Sequence, residues 1–272
     1  MTINKYSLLL FGAAFIAGAI GCTKETDTES AAEAETAAVS EPVSGWTVDD
    51  LAAALSDPGR AEADRARDAG RKPAEVVVFL GIEQGMTALD LIAAGGYYTE
   101  VLSVAVGPSG RVIAQNPPTV LQMRDGVNEK AMSARLADDH LANVTRLDTN
   151  IGEMNLEPGS VDAAITALNF HDVYNRRGAE AATGALQAVY AALKPGGVMG
   201  VIDHAGNPDA ANDELHRVEE QLAVQAATDA GFVVEATSDA LRNSDDDRSL
   251  GVFHEKVRGN TDRFLLRLRK PE

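Results

Sequence analysis

The sequence has very little cysteine, and this shortage excludes two kinds of protein. Cys22 is the only cysteine among the 272 residues. A single thiol forms no disulfide within the chain, so neither a disulfide-stabilised scaffold nor a zinc site built from several cysteines fits the sequence. Aromatic residues are also scarce, at 5% of the chain. The hydrophobic core must therefore consist mainly of aliphatic side chains.

Positive charge is the next shortage. The chain has 24 Lys and Arg residues against 41 Asp and Glu residues, which gives a formal net charge of −17. A surface of this sign repels phosphate backbones, which argues against nucleic acid as a partner. It also repels anionic lipid headgroups, so attachment to a membrane would need an inserted or covalent anchor. The hydrophobic fraction of 45% is that of an ordinary globular domain.

The N-terminus carries the pattern of an export signal. Lys5 precedes an uncharged apolar run, Ser7–Gly21, of about 15 residues, which is shorter than the roughly 20 that a membrane-spanning helix needs. The run ends in Ala19-Ile20-Gly21-Cys22 and resembles a bacterial lipobox, in which the cysteine is lipidated and becomes the new N-terminus. We therefore predict a lipoprotein signal peptide over residues 1–21 and a lipid anchor on Cys22. The alternative is an ordinary secretory signal with a coincidental cysteine.

Residues 22–45 are predicted to be a flexible acidic tether. The segment is rich in Thr, Glu, Ala and Ser and has no aromatic residue. It buries too little surface to offset the entropy lost on ordering. The residue after the cysteine is Thr23 rather than an Asp. In a Gram-negative cell this indicates the outer membrane, with the protein on the periplasmic or cell-surface side. Residues 46–272 form the body, which is long enough for one large domain.

Within the body, short apolar segments alternate with amphipathic ones after three N-terminal helices. The predicted strands are Thr87–Leu91, Gly110–Gln115, Val144–Leu147, Val161–Leu168, Val198–Ile202, Phe232–Ala236 and Arg263–Arg269. Between them, Tyr97–Val106 and Asp213–Ala230 are each predicted to form one helix. This alternation predicts an α/β fold with a Rossmann-like, doubly wound and mostly parallel seven-stranded sheet. No helix separates the last two strands, so the last strand should be antiparallel. Its alternating apolar and basic residues predict a half-exposed edge strand.

The segment after the first strand is a candidate site. In an open α/β sheet, ligands bind beyond the carboxyl ends of the strands, where the strand order reverses. Asp90 lies at that end, and Gly95-Gly96 follow at the start of a helix. Small residues let a ligand approach the backbone, and amides at a helix N-terminus can bind polar ligand atoms. Because a glycine-rich turn also serves tight packing, this motif alone does not decide a function.

Further motifs extend along the body. They are Asp90–Thr99, Gly110–Asn116, Gly159–Asp162, Asn169–Asp172 and Leu193–Val198, which contains an LKPGG turn. Together they resemble the class I S-adenosylmethionine-dependent methyltransferases. Three shorter stretches make the chain similar to a bacterial group of exported methyltransferases: Arg71-Lys72-Pro73, Ile202-Asp203-His204 and Asn260–Phe264. The resemblance covers essentially the whole body.

The resemblance implies S-adenosylmethionine as the cofactor and assigns residues to it. The residues implied at its methionine end and sulfonium surround the turn after the first strand: Asp90, Ala94, Gly95, Gly96, Tyr97 and Asn169. Asn116 would face the ribose, and Asp148 or Asn150 would face the adenine.

The chain departs from the family pattern at two places. The family's glycine triplet would fall at Ile92, Ala94 and Gly96. The pair Gln115-Asn116 stands where an acidic residue usually holds both ribose hydroxyls, and an amide lacks the charge-assisted hydrogen bonds of a carboxylate. Both departures would lower the affinity for the cofactor.

Histidine and aspartate follow two strands at the same edge of the predicted sheet. His171-Asp172 follow the fourth strand, and Asp203-His204 follow the fifth. We predict His171, Asp172 and His204 as catalytic, because a histidine beside a carboxylate can take a proton from a nucleophilic O–H or N–H. The alternative is that these residues cap the strand ends and bond one another. No metal site is predicted, since Asp245–Asp247 lacks the alternate spacing of a calcium loop.

Three functions remain open from the sequence. The first is a methyltransferase that acts on a small-molecule or cell-envelope substrate. The second is a non-catalytic ligand-binding lipoprotein that keeps the fold, which Ile92 and Gln115-Asn116 favour. The third is a nucleotide-binding oxidoreductase, but the missing ribose carboxylate counts against NAD as well. The sequence does not indicate a protein partner.

Overall fold

A computed structural model of the chain describes residues 45–272. The predicted signal peptide over residues 1–21, Cys22 and the tether up to residue 44 lie outside the described residues. Among residues 45–272, no helix combines the length and the hydropathy that crossing a membrane requires.

Three helices precede the sheet, as the sequence predicts. They are α1 (Val48–Leu55), α2 (Glu62–Arg71) and α3 (Pro73–Leu80). Thr47 caps α1, because its Oγ1 accepts a hydrogen bond from the amide of Asp50 at 3.1 Å. Pro73 begins α3, where a missing N–H leaves no helix hydrogen bond unmade. Local sequence therefore determines where α1 and α3 begin.

A single seven-stranded sheet forms the centre of the described chain. The strands are β1 (Thr87–Leu91), β2 (Arg111–Gln115), β3 (Val144–Leu147), β4 (Val161–Ala167), β5 (Leu193–His204), β6 (Val233–Ser238) and β7 (Arg263–Arg269). Their order is β3-β2-β1-β4-β5-β7-β6. The strands β1 to β5 pair in parallel, and β7 pairs antiparallel with both β5 and β6. The predicted Rossmann-like fold and the antiparallel last strand are confirmed.

Helices cover both faces of the sheet. The remaining helices are α4 (Tyr97–Val106), α5 (Pro118–Arg135), α6 (Phe170–Ala192), α7 (Asn212–Leu215) and α8 (Glu220–Asp229). On one face, α6 and α8 bury Leu186 and Ala227 against the sheet. On the other face, α1, α3 and α4 bury residues such as Leu51 and Leu102. Adjacent residues of β1, Ala88 and Leu89, point to opposite faces, which is why this strand reads as a continuous apolar run.

Two expectations about the C-terminal half are wrong. The strand β7 is not an edge strand but lies between β5 and β6. Two of its arginines meet helix ends, since Arg263 donates to the Gly70 carbonyl at 2.6 Å and Arg267 to that of Phe79 at 3.0 Å. The third, Arg269, pairs with Glu235 at the surface. The single helix predicted over Asp213–Ala230 is instead α7 and α8, because the chain leaves α7 at His216, with a positive φ of 55°.

Candidate functional site

A cleft opens where the strand order reverses, between the carboxyl ends of β1 and β4. Its volume is about 360 Å³, within the range of small-molecule sites. We call it the switch-point cleft. The predicted cofactor residues that line it are Asp90, Ala94, Gly95, Tyr97 and Asn169. Gly96, Asn116, Asp148 and Asn150 do not line it.

The turn after β1 has an unusual backbone. Ile92 and Ala94 have φ angles of 56° and 50°, and Gly96 has 85°. A positive φ is rare for a residue with a side chain, and above all for a β-branched one such as isoleucine. These are the three positions at which the resembled family has glycine. The chain thus keeps the left-handed backbone of a glycine triplet while using two residues that are strained in it.

Two buried amides hold this turn in place. The Gln115 side chain accepts a hydrogen bond from the Ile92 amide at 3.1 Å. The Asn116 side chain accepts one from the Ala94 amide at 2.8 Å and donates one to the Ala94 carbonyl at 3.1 Å. Both amide side chains are fully buried. Asn116, predicted to face the ribose, is therefore bonded to the turn in this structure.

Asp90 is a buried carboxyl group in the floor of the cleft. It ends β1 with only 2% of its surface exposed, and it accepts a hydrogen bond from the Thr99 hydroxyl at 2.7 Å. Burial raises the pKa of Asp90 to about 6, against the smaller opposing effect of Thr99. At neutral pH the group is mostly ionised without a salt-bridge partner among the described residues, which suits it to a cationic ligand group.

Arg71 also lines the cleft, although the motifs in the sequence assign it no role. Its guanidinium lies 4.5 Å from the ring centre of Tyr97 and forms no ion pair with a described residue. Burial lowers the pKa of Arg71, yet an arginine stays protonated at neutral pH. A largely buried cation of this kind is a ready partner for a carboxylate. The only signal in the sequence was its place in the motif Arg71-Lys72-Pro73.

Other charged residues close the rim of the cleft. Arg135, at the end of α5, pairs with Asp64 of α2 at 2.5 Å and also with Glu100 of α4. It donates a further hydrogen bond to the Gly95 carbonyl at 3.1 Å. The Tyr97 hydroxyl donates to Asp68 at 2.5 Å, and burial raises the pKa of this phenol. These contacts connect α2, α4 and α5 around the opening.

The two residues predicted near the adenine lie after β3 with other partners. Asp148 pairs with Arg146 at 2.6 Å. Asn150 donates to Glu153 at 3.1 Å. Asn169, by contrast, lies in the cleft, where its amide donates to the carbonyls of Ile92 at 3.0 Å and Ala167 at 2.8 Å. It thereby ties the end of β4 to the strained turn.

The predicted catalytic histidines come together at the ends of β4 and β5. His171 donates from Nδ1 to the fully buried Asp203 carboxylate at 2.8 Å, and its amide donates to the other oxygen at 2.8 Å. Burial alone would lower the pKa of His171, but the Asp203 charge outweighs it and the pKa is raised. The His204 ring lies 5.8 Å from that of His171 and bonds Thr261 at 2.6 Å. Burial lowers the pKa of His204 to about 3, so this ring is neutral.

His216 joins this group, although the sequence did not indicate it. Its ring lies 5.6 Å from the ring of His171, and its Nδ1 lies 3.7 Å from Asp172. The Nε2 of His171 lies 3.7 Å from the other oxygen of Asp172. No motif marks His216, because it reaches this place only through the fold of the segment after β5. We call His171, Asp172 and His216 the histidine cluster.

A larger cavity, of about 890 Å³, lies elsewhere. Its lining includes Gly110 and Arg111 at the amino end of β2, together with His140 and Asn143. Ligands of open α/β sheets bind at the carboxyl ends of the strands, so position favours the smaller switch-point cleft as the candidate site.

No family model matches the chain, and no curated protein matches it. Solved structures do. A SAM-dependent methyltransferase from Aquifex aeolicus has a TM-score of 0.56 and 20% identity, over 83% of this chain and 99% of that one. The cyclase SpnF has a TM-score of 0.54 and 18% identity, over 79% and 84%. An S-adenosylmethionine-dependent methyltransferase from Mesorhizobium loti has a TM-score of 0.50 and 14% identity, over 72% and 95%.

These similarities establish that the chain has the class I methyltransferase fold. Identities this low carry the fold alone. The presence of a cyclase among the similar structures illustrates that one fold supports more than one reaction. The reaction of this chain has to be argued from its own cleft.

Proposed function

We propose that the chain is an S-adenosylmethionine-dependent methyltransferase that acts on a small-molecule or cell-envelope substrate. The observation that carries the proposal is Arg71, a protonated guanidinium that lines the switch-point cleft without a carboxylate partner among residues 45–272. The fold supports the same conclusion, since the cleft lies where this architecture binds ligands.

The cleft fits the methionine end of this cofactor, which carries a carboxylate and an ammonium group. Arg71 would bind the carboxylate. Asp90 would bind the ammonium group, together with the side-chain oxygen of Asn169, because the amide hydrogens of Asn169 are donated to backbone carbonyls. Ala94 and Gly95 would contact the cofactor through the backbone of the turn, with Gly96 shaping that turn and Tyr97 beside the sulfonium.

The ribose and adenine ends have weaker support. Asn116 stays the proposed ribose ligand, and Asp148 or Asn150 the adenine ligand. Each already has a partner within the chain: Asn116 bonds Ala94, Asp148 pairs with Arg146, and Asn150 bonds Glu153. Because these groups are already partly engaged, we expect most of the affinity to come from the methionine end.

The methyl acceptor is proposed to lie beside His171, Asp172 and His204, at the ends of β4 and β5. The bound cofactor would supply an electrophilic methyl group there. Methyl transfer is an in-line displacement, so the main task of the chain is to hold the acceptor in position. Asp203 fixes His171 through one hydrogen bond to its ring and one to its backbone amide, and the neutral His204 offers a hydrogen bond rather than a charge.

Calorimetric titration of the full chain tests the proposal. We expect S-adenosylhomocysteine and S-adenosylmethionine to bind with micromolar Kd and NAD not to bind. Arg71→Met should weaken binding of the first two by about 10-fold or more, the effect of one charge-assisted contact. Arg111→Met is the matched control, because Arg111 is exposed at the opposite end of β2, and it should bind like the wild type.

Failure of both cofactor forms to bind would contradict the enzyme and favour the alternative, a non-catalytic ligand-binding lipoprotein. Two observations favour that alternative: Ile92 lines the cleft, and the amide expected at the ribose is bonded to the turn. Binding of NAD alone would instead favour an oxidoreductase.

Export and a lipid anchor on Cys22 are a separate part of the proposal, supported by the lipobox-like sequence. They place the protein on the periplasmic or cell-surface side. Cells fed labelled palmitate should yield labelled protein, and Cys22→Ser should abolish the label. Equal labelling of the two proteins would contradict the anchor.

A further inference from the structure

The histidine cluster has the composition and spacing of a metal site. His171 Nε2, His216 Nδ1 and an Asp172 carboxylate oxygen all lie within 4.8 Å of one another. Each histidine nitrogen lies 3.7 Å from a different oxygen of Asp172. Ligands about 2.1 Å from a tetrahedral zinc ion stand about 3.4 Å apart. Side-chain movements of a few tenths of an ångström to about 1.4 Å would therefore bring the two nitrogens and one Asp172 oxygen to ligand distance.

Asp203 prepares His171 for this role. The Nδ1–H of His171 is donated to the Asp203 carboxylate at 2.8 Å, which leaves Nε2 directed toward Asp172. Metal-binding histidines in proteins commonly donate their second ring nitrogen to a carboxylate in this way, which fixes both the tautomer and the ring orientation. His171 lacks the freedom of a surface histidine, since only 6% of its side chain is exposed.

His216 is also held in place, by its neighbour in the chain. The fully buried Arg217 guanidinium makes two hydrogen bonds to Asp246, at 2.9 and 3.0 Å, and one to the Ala205 carbonyl at 3.0 Å. The Arg217 carbonyl accepts from Asn175 of α6 at 2.8 Å. This frame fixes the backbone of His216 beside α6, so the approach of the two histidines does not depend on a mobile loop.

The cluster is accessible from solvent. Asp172 has 39% of its side chain exposed and His216 has 28%. The present partner of Asp172 is Arg176 at 3.2 Å, and 54% of the Arg176 side chain is exposed. Such a surface ion pair contributes little stability, so Arg176 can move aside for a cation.

We propose that His171, Asp172 and His216 bind one divalent transition-metal ion of the Zn²⁺ type. Two imidazoles and one carboxylate suit such an ion rather than Mg²⁺ or Ca²⁺, which prefer oxygen ligands. Three protein ligands leave a fourth position for water or for an oxygen or nitrogen atom of a ligand. This position lies at the acceptor end of the proposed enzyme, but metal binding does not require the methyltransferase proposal to hold.

The test uses the metal-free full chain with the substitution Cys22→Ser, which removes the only thiol. Titration with ZnCl₂ by calorimetry, together with equilibrium dialysis and metal analysis, should give one ion per chain with micromolar or tighter Kd. Co²⁺ should bind with visible absorption bands of a tetrahedral site, and millimolar Mg²⁺ should not compete. His216→Ala and Asp172→Asn should each lower Zn²⁺ affinity at least 10-fold, whereas Asp203→Asn should lower it about 10–100-fold.

His254→Ala is the matched control, because His254 is exposed and outside the cluster, and it should bind Zn²⁺ like the parent. Binding of clearly less than one Zn²⁺ per chain in the parent protein would contradict the proposed site. A Zn²⁺ affinity of His216→Ala equal to that of the parent would contradict it as well. S-adenosylhomocysteine titration of His216→Ala distinguishes the two proposals. We expect its cofactor affinity to equal the parent's, which also shows that the variant is folded.

Discussion

The turn after β1, on the proposed cofactor side, and the histidine cluster, on the proposed acceptor side, use their polar groups in opposite ways. On the cofactor side, buried amides bond the peptide groups of the strained turn at Ile92 and Ala94, so both polar atoms of the Asn116 side chain are already engaged within the chain. On the acceptor side, Asp203 bonds only one ring nitrogen of His171, and the other ring nitrogen faces Asp172 and His216. The turn is internally satisfied, whereas the histidine cluster is prepared for a partner.

This difference shows which feature each side preserves. The cofactor side preserves the shape of the backbone, because the left-handed conformation persists although two of the three glycines are absent. Residue identity can change there as long as other side chains hold the turn. The acceptor side depends on particular ring nitrogens and a carboxylate, whose positions require a rigid frame behind them. The two sides should therefore fail in different ways when they are mutated.

The largest effect is expected from the frame of the acceptor side. Arg217→Met leaves Asp246 as a buried charge without its counter-ion, which should lower the free energy of unfolding by about 3–5 kcal/mol. Urea denaturation measures this change. In the folded protein, Zn²⁺ affinity should fall because His216 is no longer held, while S-adenosylhomocysteine affinity should stay within about twofold if the two sides are independent.

The control removes the unpaired charge. Arg217→Met combined with Asp246→Asn keeps one side-chain acceptor, for the amide of Arg248 or that of Asp262 but not for both, so it should recover about half of the lost free energy. A loss below about 1 kcal/mol in Arg217→Met would show that this ion pair does not hold the acceptor side.

The next effect concerns a charge on the cofactor side, Asp90. Burial raises its pKa to about 6, so the folded state favours the protonated form. The raised pKa therefore stabilises the folded state most below about pH 4, the usual pKa of a carboxyl in the unfolded chain. This stabilisation is lost as the pH rises through 6. Relative to Asp90→Asn, the wild type should lose about 3 kcal/mol of unfolding free energy between pH 4 and pH 7.

Urea denaturation of both proteins at several pH values measures the difference. Glu255→Gln is the control for a surface carboxyl, because Glu255 is exposed and its substitution should change the free energy of unfolding by less than about 0.5 kcal/mol. If the difference in unfolding free energy between the wild type and Asp90→Asn does not change with pH, the pKa of Asp90 is not raised and water reaches the floor of the cleft.

Sequence patterns predicted the frame of this molecule well. The bounds of β1, α4, β3 and β7 agree with the structure to the residue, because apolar runs and terminal glycines mark them locally. The place of β7 was wrong because alternating arginines resemble a solvent-facing pattern. The ends of α2 and α3 provide acceptors for them only in the folded chain.

The site was predicted less completely than the fold. Motifs marked Asp90, Asn169 and His171, which lie at or just beyond the carboxyl ends of β1 and β4. They did not mark His216, because a parallel bridge between Ala205 and Val218 brings it to β5. They also assigned Asn116 to the ribose from its position alone. Its actual bonds depend on the positive φ of Ala94, which a sequence with alanine at that position does not indicate.

The smallest effect isolates the strain in the turn. Ile92→Ala and Ile92→Gly remove nearly the same buried side chain, so the difference between them reports the backbone. A left-handed conformation costs alanine about 1–2 kcal/mol relative to glycine. Glycine loses about 0.5–1 kcal/mol through its greater freedom when unfolded. Since φ is 56° at this position, Ile92→Gly should be the more stable of the two by about 0.5–1 kcal/mol in urea denaturation.

The neighbouring pair Leu91→Ala and Leu91→Gly supplies the control, because Leu91 is buried in the same core but is not among the residues with positive φ. At residue 91 the glycine variant should be less stable than the alanine variant by a similar amount, because only the greater freedom of glycine in the unfolded chain distinguishes them. Opposite signs at adjacent positions would show that the turn keeps a glycine-like backbone at a cost in stability. The same sign at both would mean that Ile92 relaxes to an ordinary conformation, and that the shape of the cofactor side is not conserved after all.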